Sequence, residues 1–481
     1  MAFGTIGAIA LHDCRRPLEP SMTETLPQST TAAAIATSTA SEVICDVVVI
    51  GGGPAGATMA ALLARDGFAV SLLEREHHPR FHIGESLLPA NVQLFEQLGV
   101  RAQVEAIGMP KWGVQFVSPQ HSHTAFVEFS EAWDKTMPMA WQVRRSALDD
   151  MLFRNARSQG AATVEGCNVR RVEFDEAGAT VHALLDDGAE RRWRTAHVVD
   201  ASGRDTLLAS QFQTKARNPK HNSAAIFGHF RNARRLEGEK LEGNISIFWF
   251  EHGWIWFIPL LDGTTSVGAT CWPAYLKTRD KPLKAFFLDT LAQAPMLMER
   301  LADATLVDDE VHATGNYSYS AAQASGARWL MLGDAFAFVD PVFSSGVYLA
   351  MESAFRALPV VKATLRQPQQ AAAERRRFEA HMRKGPREFS WFIYRMTNPA
   401  MRELFMHPRN ILRAKEAVMS VLAGDIFSAT PYRPSLAFFK CVYWVSSLGN
   451  LPRSWRAWRR RRRLIADRGP LNGETVMKPA Q

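Results

Sequence analysis

No C-x-x-C pair occurs in this chain of 481 residues, whose five cysteines (Cys14, Cys45, Cys167, Cys271 and Cys441) are scattered. That argues against a disulfide framework and a zinc knuckle, and fits a reducing cytoplasm. No run of about 20 apolar residues is present, which excludes a spanning helix; the nearest candidate, Ser435 to Leu448, contains Lys440. Residues 1–42, rich in Ala, Ser and Thr, lack the basic start and apolar centre of a secretory signal, and are expected to form a disordered lead. Internal repeats and nucleic-acid-binding motifs are missing too. Acidic residues are scarce at the C-terminal end, where residues 432–481 carry eleven Lys or Arg against two acids. Since the whole chain has a net charge of +8, its basicity belongs to this tail. Arg453, Arg456, Arg459 to Arg463 and Arg468, interleaved with Trp455 and Trp458, suit an acidic carrier protein or a peripheral contact with the inner face of a membrane. A solvated terminal helix is the plain alternative.

What is present begins with a β-branched run, Val43 to Ile50, followed by Gly51-Gly52-Gly53-Pro54-Ala55-Gly56 and an Ala/Leu-rich helix. Gly51 allows a tight turn, Gly53 close approach of a pyrophosphate, and Gly56 close helix packing; the helix start, with Pro54 and Ala55, offers unpaired N–H groups to phosphate. A second strand ends in Glu74, eighteen residues after Gly56, where a carboxylate accepts ribose hydroxyls, with Arg75 beside it. Two further apolar runs end in small-residue turns, at Asp200-Ala201-Ser202-Gly203 and at Gly333-Asp334. A chain this long suits interleaved domains. We expect nucleotide-binding pieces at 43–110, 145–205 and 320–365, a substrate domain inserted at 111–144 and 206–319, a helical region at 366–430 and the basic aromatic tail at 431–481. Residues 222–275 read as four successive strands with a turn at Asp262-Gly263, hence an antiparallel sheet.

Three segments carry more specific chemistry. Trp254-Ile255-Trp256-Phe257-Ile258-Pro259 puts two indoles on one face of a strand; alone it reads as a buried strand. In Met109-Pro110-Lys111-Trp112-Gly113-Val114-Gln115-Phe116, read as one strand, Trp112, Val114 and Phe116 face the core while Lys111, Gly113 and Gln115 face away. The third segment, Phe338 to Val347, includes Phe343, Ser345, Gly346 and Val347.

Together with Gly84-Glu85-Ser86 and Val143-x-Arg145-x-x-Leu148-Asp149, these segments resemble the flavin-dependent halogenases over roughly residues 43–430. The resemblance implies an α/β fold: a glutathione-reductase-type FAD-binding Rossmann domain interleaved with an antiparallel-sheet substrate domain, plus a helical C-terminal region. It implies FAD contacts at Gly51, Gly53, Pro54, Ala55, Gly56, Glu74, Arg75, Glu85, Ser86, Arg145, Gly333, Asp334, Gly346 and Val347. It also implies halide held by the backbone of Ser345 and Gly346, a passage lined or gated by Trp254, Trp256, Pro259 and Phe343, and Lys111 as the catalytic amine, with Gly113 leaving room beside it. On this reading FADH2 from a separate flavin reductase, O2 and chloride or bromide yield hypohalous acid, which Lys111 relays to an electron-rich ring. Tryptophan-specific members carry a glutamate where this chain has Phe343, so the phenol- and pyrrole-type branch, with free or carrier-bound substrate, is the closer resemblance. The competing readings are an FAD-dependent monooxygenase or reductase of the same fold, and a non-catalytic flavin-binding adaptor.

Overall fold

The computed structural model describes residues 42–315 and 318–466. The expected disordered lead and the tail beyond residue 466, with Arg468, lie outside the described residues, except that Glu42 already belongs to the first strand.

A seven-stranded sheet is built around Glu42–Ile50, which pairs in parallel with Val70–Leu73 on one side and Glu190–Asp200 on the other. The helix Pro54–Arg65 starts immediately after the first strand, with Gly53 as its extended cap and Pro54 in its first turn, where a missing N–H costs nothing. Glu190–Asp200 serves two partners along one edge. Its first half pairs antiparallel with Ala179–Leu185, and its end, Val198 to Asp200, pairs in parallel with Trp329–Met331. Residues far apart in sequence thus bring their strand ends to the same carboxyl edge.

The second sheet has eight strands and draws on both inserts. Ala224–Arg231, Ile245–Phe250, Gly253–Pro259 and Thr265–Cys271 occupy the expected antiparallel stretch, and Gly113–Val117 adds itself in parallel beside Ile245–Phe250. Alternation along these strands separates two cores. Trp254, Trp256, Ile258, Phe227 and Ile247 face the main core, whereas Ile255, Phe257, Phe248 and Ile226 pack with Phe286, Phe287 and Leu297 of the helices Leu283–Leu291 and Pro295–Arg300. Trp256 packs against Gly268, where a Cβ would stand 2.3 Å from the indole.

The segment around Lys111 departs from its sequence reading. The chain breaks at Trp112, so that Gly108–Lys111 pairs with Ala140–Val143 while Gly113–Val117 belongs to the large sheet. Asn244 Oδ1 accepts hydrogen bonds from both Trp112 N–H and Gly113 N–H at 2.8 Å, which holds the break. Face alternation applies only within a continuous strand. Across the break Lys111 turns inward and is 1 % exposed, a fully buried residue rather than one facing away from the core. Gly113 leaves no space for the amine either; a Cβ there would stand 2.3 Å from the carbonyl oxygen of Val127 on the neighbouring strand.

The C-terminal region is helical from Gly346–Arg366 and Pro368–Ile393 onward and ends in Arg433–Gly449 and Leu451–Ala466. Among the described residues no helix is long and apolar enough to cross a membrane, and Cys45, Cys167, Cys271 and Cys441 are free thiols.

Phe287, with no exposure, is central to the second core. Phe287→Ala is expected to destabilise the fold by about 3–5 kcal/mol, read as a lowered midpoint in urea unfolding.

Candidate active site

At the carboxyl edge of the first sheet the strand ends are tied together by backbone hydrogen bonds: Gly51 N–H to Leu73 O at 2.7 Å, Ala201 N–H to Ile50 O at 2.8 Å, and Leu332 N–H to Asp200 O at 2.8 Å. The approach is so close that only glycine fits. A Cβ on Gly51, whose φ is +100°, would stand 2.4 Å from Ala201 O, and one on Gly56 would stand 1.9 Å from Gly51 O. Such a crevice beyond parallel strand ends is where open α/β sheets bind ligands. Here it opens into a cavity of about 1180 Å³, above the ~300–1,000 Å³ common for small-molecule pockets.

Twelve of the expected cofactor residues line this cavity: Gly51, Gly53, Pro54, Ala55, Glu74 and Arg75 from the first half of the nucleotide-binding sheet, then Glu85, Ser86, Arg145, Asp334, Gly346 and Val347. Gly56 and Gly333 stand behind the wall, in the packing of helix on turn; Gly333 (φ +50°) donates its N–H to Ser353 Oγ at 3.1 Å. The Glu74 carboxylate accepts from Gly52 N–H at 2.7 Å and lies 3.4 Å from the Arg80 guanidinium. Arg145 grips Asp149 with two bonds of 2.9 Å. Burial alone would raise the Asp149 carboxyl, but the guanidinium groups of Arg145 and Arg80 hold it below its usual range. Asp334 is only partly covered because it faces the cavity, yet surrounding protein pushes its carboxyl up to about 6.

Arg80, Asp149 and His229 were not among the expected site residues, although Asp149 closes the Val143-x-Arg145-x-x-Leu148-Asp149 motif. Asp149 had a signal, four residues after Arg145 on the helix Arg145–Ser158. His229, whose Nε2 lies 3.0 Å from both oxygens of Glu85, had none, since the pair is 144 residues apart.

Trp254 and Trp256 also line the cavity, with ring centroids 5.9 Å apart, and the Trp256 indole N–H donates to Ser266 Oγ at 3.1 Å. Pro259 and Phe343 do not. Pro259 closes its strand opposite Thr265, and Phe343 packs on Phe389 and Phe392 in the helical region. Ser345 and Gly346 line a second, small space of about 40 Å³ that shares Asp334 and Phe338 with the large cavity; roughly 10–15 Å³ suffices for one water-sized guest. The unusual backbone lies two residues earlier than the glycine. Ser344 has φ +56°, whereas Gly346 is simply the first residue of its helix, with an N–H that needs no intrahelical partner.

Lys111 approaches the same region from behind. Its Nζ donates to Ser86 Oγ at 2.9 Å and to Leu87 O at 3.0 Å, lies 5.1 Å from the centre of the Phe129 ring, and among the described residues has no carboxylate partner. Burial lowers its pKa from 10.5 to about 7. Ser86 is therefore shared between the amine and the cavity wall.

The FAD binding domain family model matches residues 44–379. A tryptophan 2-halogenase of Chondromyces crocatus is 32% identical over 332 residues, 66% of this chain and 61% of the relative. A 1H-pyrrole-2-carbonyl-[peptidyl-carrier protein] chlorinase of Pseudomonas fluorescens is 28% identical over 410 residues, 80% of this chain and 90% of the relative. Among solved structures, the myxobacterial chondrochloren halogenase is similar with a TM-score of 0.71 and 32% identity, covering 81% of this chain and 92% of that one. Fold and site thus define an FAD-dependent oxidoreductase. The chain belongs to the flavin-dependent halogenases, enzymes that use reduced FAD, O2 and halide. The residues present fit that cofactor: the side-chain-free turn Gly51-Gly52-Gly53 leads into a helix start with unpaired N–H groups, beside the buried carboxylate of Glu74.

The buried amine has a thermodynamic signature. Between about pH 7 and its ordinary value near 10.5 the unfolded chain holds a proton at position 111 that the folded chain lacks, so this position's contribution to stability rises with pH across that window and is constant below it. The unfolding free energies of Lys111→Met and wild type should therefore converge by about 1.4 kcal/mol per pH unit as pH rises from about 7 to about 10 in denaturant titrations. Parallel curves would contradict the burial of an unpaired amine.

Proposed function

We propose that this enzyme chlorinates or brominates a phenolic or pyrrolic ring, free or linked to a carrier protein, with Lys111 delivering the halogen. The observation that carries this reading is the buried Lys111 amine, hydrogen-bonded only to Ser86 and Leu87 on the protein side of the cavity wall. Reduced FAD, delivered by a separate reductase, supplies with O2 the oxidising equivalent that converts halide to hypohalous acid. The small space at Ser345 and Gly346 holds the halide through the free N–H groups of the helix start. Trp254 and Trp256 wall that chemistry off from a bulky ring. Hypohalous acid then reaches Lys111, where the ammonium donates a hydrogen bond to it, or the neutral amine forms an N–halogen bond with loss of water; the ring takes the halogen and gives up a proton.

A ring already activated by a hydroxyl or a pyrrole nitrogen needs no carboxylate to assist attack, which agrees with Phe343 standing where a glutamate would. The similarity to a carrier-linked pyrrole chlorinase and the cationic helix Leu451–Ala466, with Arg459 stacked on Trp455 and Arg462 on Trp458, support an acidic carrier as one form of the substrate. A second reading, an indole acceptor, is favoured by the similarity to a tryptophan 2-halogenase.

Mass spectrometry of reactions with a flavin reductase, chloride or bromide, and phenol, pyrrole-2-carboxylate (free and carrier-linked) or tryptophan should show halogenated phenol or pyrrole. Lys111→Ala should lower that yield by at least about 10²-fold while leaving FAD binding intact. Unchanged halogenation in this variant would remove the amine from the mechanism. Because the amine titrates near 7, activity that rises with pH through this value would identify the neutral amine as the acting form, and activity that falls would identify the ammonium.

A further inference from the structure

At the edge of the large sheet formed by Gly113–Val117 and Thr124–Glu128, outside the cavity lining, the turn after Gly113–Val117 meets the helix Pro399–Met406. Three imidazoles and a carboxylate gather there. His121 Nε2 lies 3.1 Å from Glu403 Oε2, and His407 Nδ1 lies 3.0 Å from Glu403 Oε1. One ligand atom from each of His121, Glu403 and His407 lies within 4.8 Å of the others. The His123 ring is centred 4.8 Å from that of His407 and 5.7 Å from that of His121. None of these residues lines the cavity described above.

Two features distinguish the group from a chance cluster of surface charges. Glu403 and His407 are four residues apart at a helix end, a spacing that puts both side chains on one face. His121 is oriented from behind: its Nδ1 lies 2.9 Å from Ser118 Oγ, which leaves Nε2 facing the cluster, and His123 Nε2 lies 3.1 Å from the carbonyl oxygen of Met406, which leaves its Nδ1 unengaged by that bond. Outer hydrogen bonds that fix imidazole orientation are a recurring part of metal sites. The guanidinium of Arg402, the residue before Glu403, is engaged with Gln120 and over the Trp249 ring. Imidazole with one carboxylate is the donor set of zinc and its neighbours, not of magnesium or calcium.

We propose that His121, Glu403 and His407, with His123 within reach as a fourth ligand, form a divalent zinc-class metal site. The site clamps the turn that follows the strand beginning two residues after Lys111 onto the C-terminal helical region. Such an ion binds the folded chain and raises its stability, independently of the halogenation chemistry.

The test uses the full chain stripped with chelator. Titration calorimetry with Zn2+ should show one ion per chain, Co2+ at the same site should give visible d–d bands, and Zn2+ should raise Tm. Glu403→Gln and His407→Ala, compared in chelator to confirm that they fold, should weaken binding at least about tenfold and lose the Tm shift. The proposal is overturned if the wild type takes up no Zn2+, or if the His121→Ala/His407→Ala double variant binds it with unchanged affinity and stoichiometry.

Discussion

The contact on which the rest of the structure depends is the one between bare backbones at the carboxyl edge of the first sheet. Gly51 sits against Ala201, and Gly56 against Gly51, at distances that exclude any Cβ. That approach lets three strands end side by side and leaves the start of the helix Pro54–Arg65 facing an open crevice. Side chains there would hold the strand ends apart and fill the space where a pyrophosphate must sit. The cavity, and with it the position of every group that faces it, follows from their absence.

A second constraint shapes the far wall. The large sheet is apolar on both faces, so it must be covered on both, and the two cores divide the work. One face is closed by short helices around Phe286 and Phe287; the other carries Trp254 and Trp256 to the cavity. The Trp256 indole is held by what lies against it, Gly268 and the Ser266 hydroxyl. The lysine enters at the seam between the small two-stranded sheet and the large one. An amine sealed in that seam with two neutral acceptors and no carboxylate is costly to keep charged. This separates it from the many lysines that serve only to keep a surface hydrated.

Much of the nucleotide half was legible because its chemistry is local. A glycine turn, the strand before it, the helix after it and the acid eighteen residues on are all within one short stretch, and the helix start at Pro54 needs nothing from the remainder of the chain. The four strands between residues 222 and 275 were legible for the same reason, since alternation and the Asp262-Gly263 turn are properties of neighbours. That Phe343 packs on Phe389 and Phe392 rather than on the cavity wall was not legible, because it depends on which layer the helical region brings against it. The pairing of His229 with Glu85 left no trace in any window of sequence.

What the sequence by itself determined is the turn that accepts the cofactor and the alternation that sorts two cores, both consequences of backbone freedom and period-two geometry over a few residues. Only the tertiary structure decided that Lys111 is buried. Its orientation hangs on a strand break at Trp112, held by the side chain of Asn244 from 132 residues away, and no periodicity can foresee where a long-range hydrogen bond will interrupt a strand.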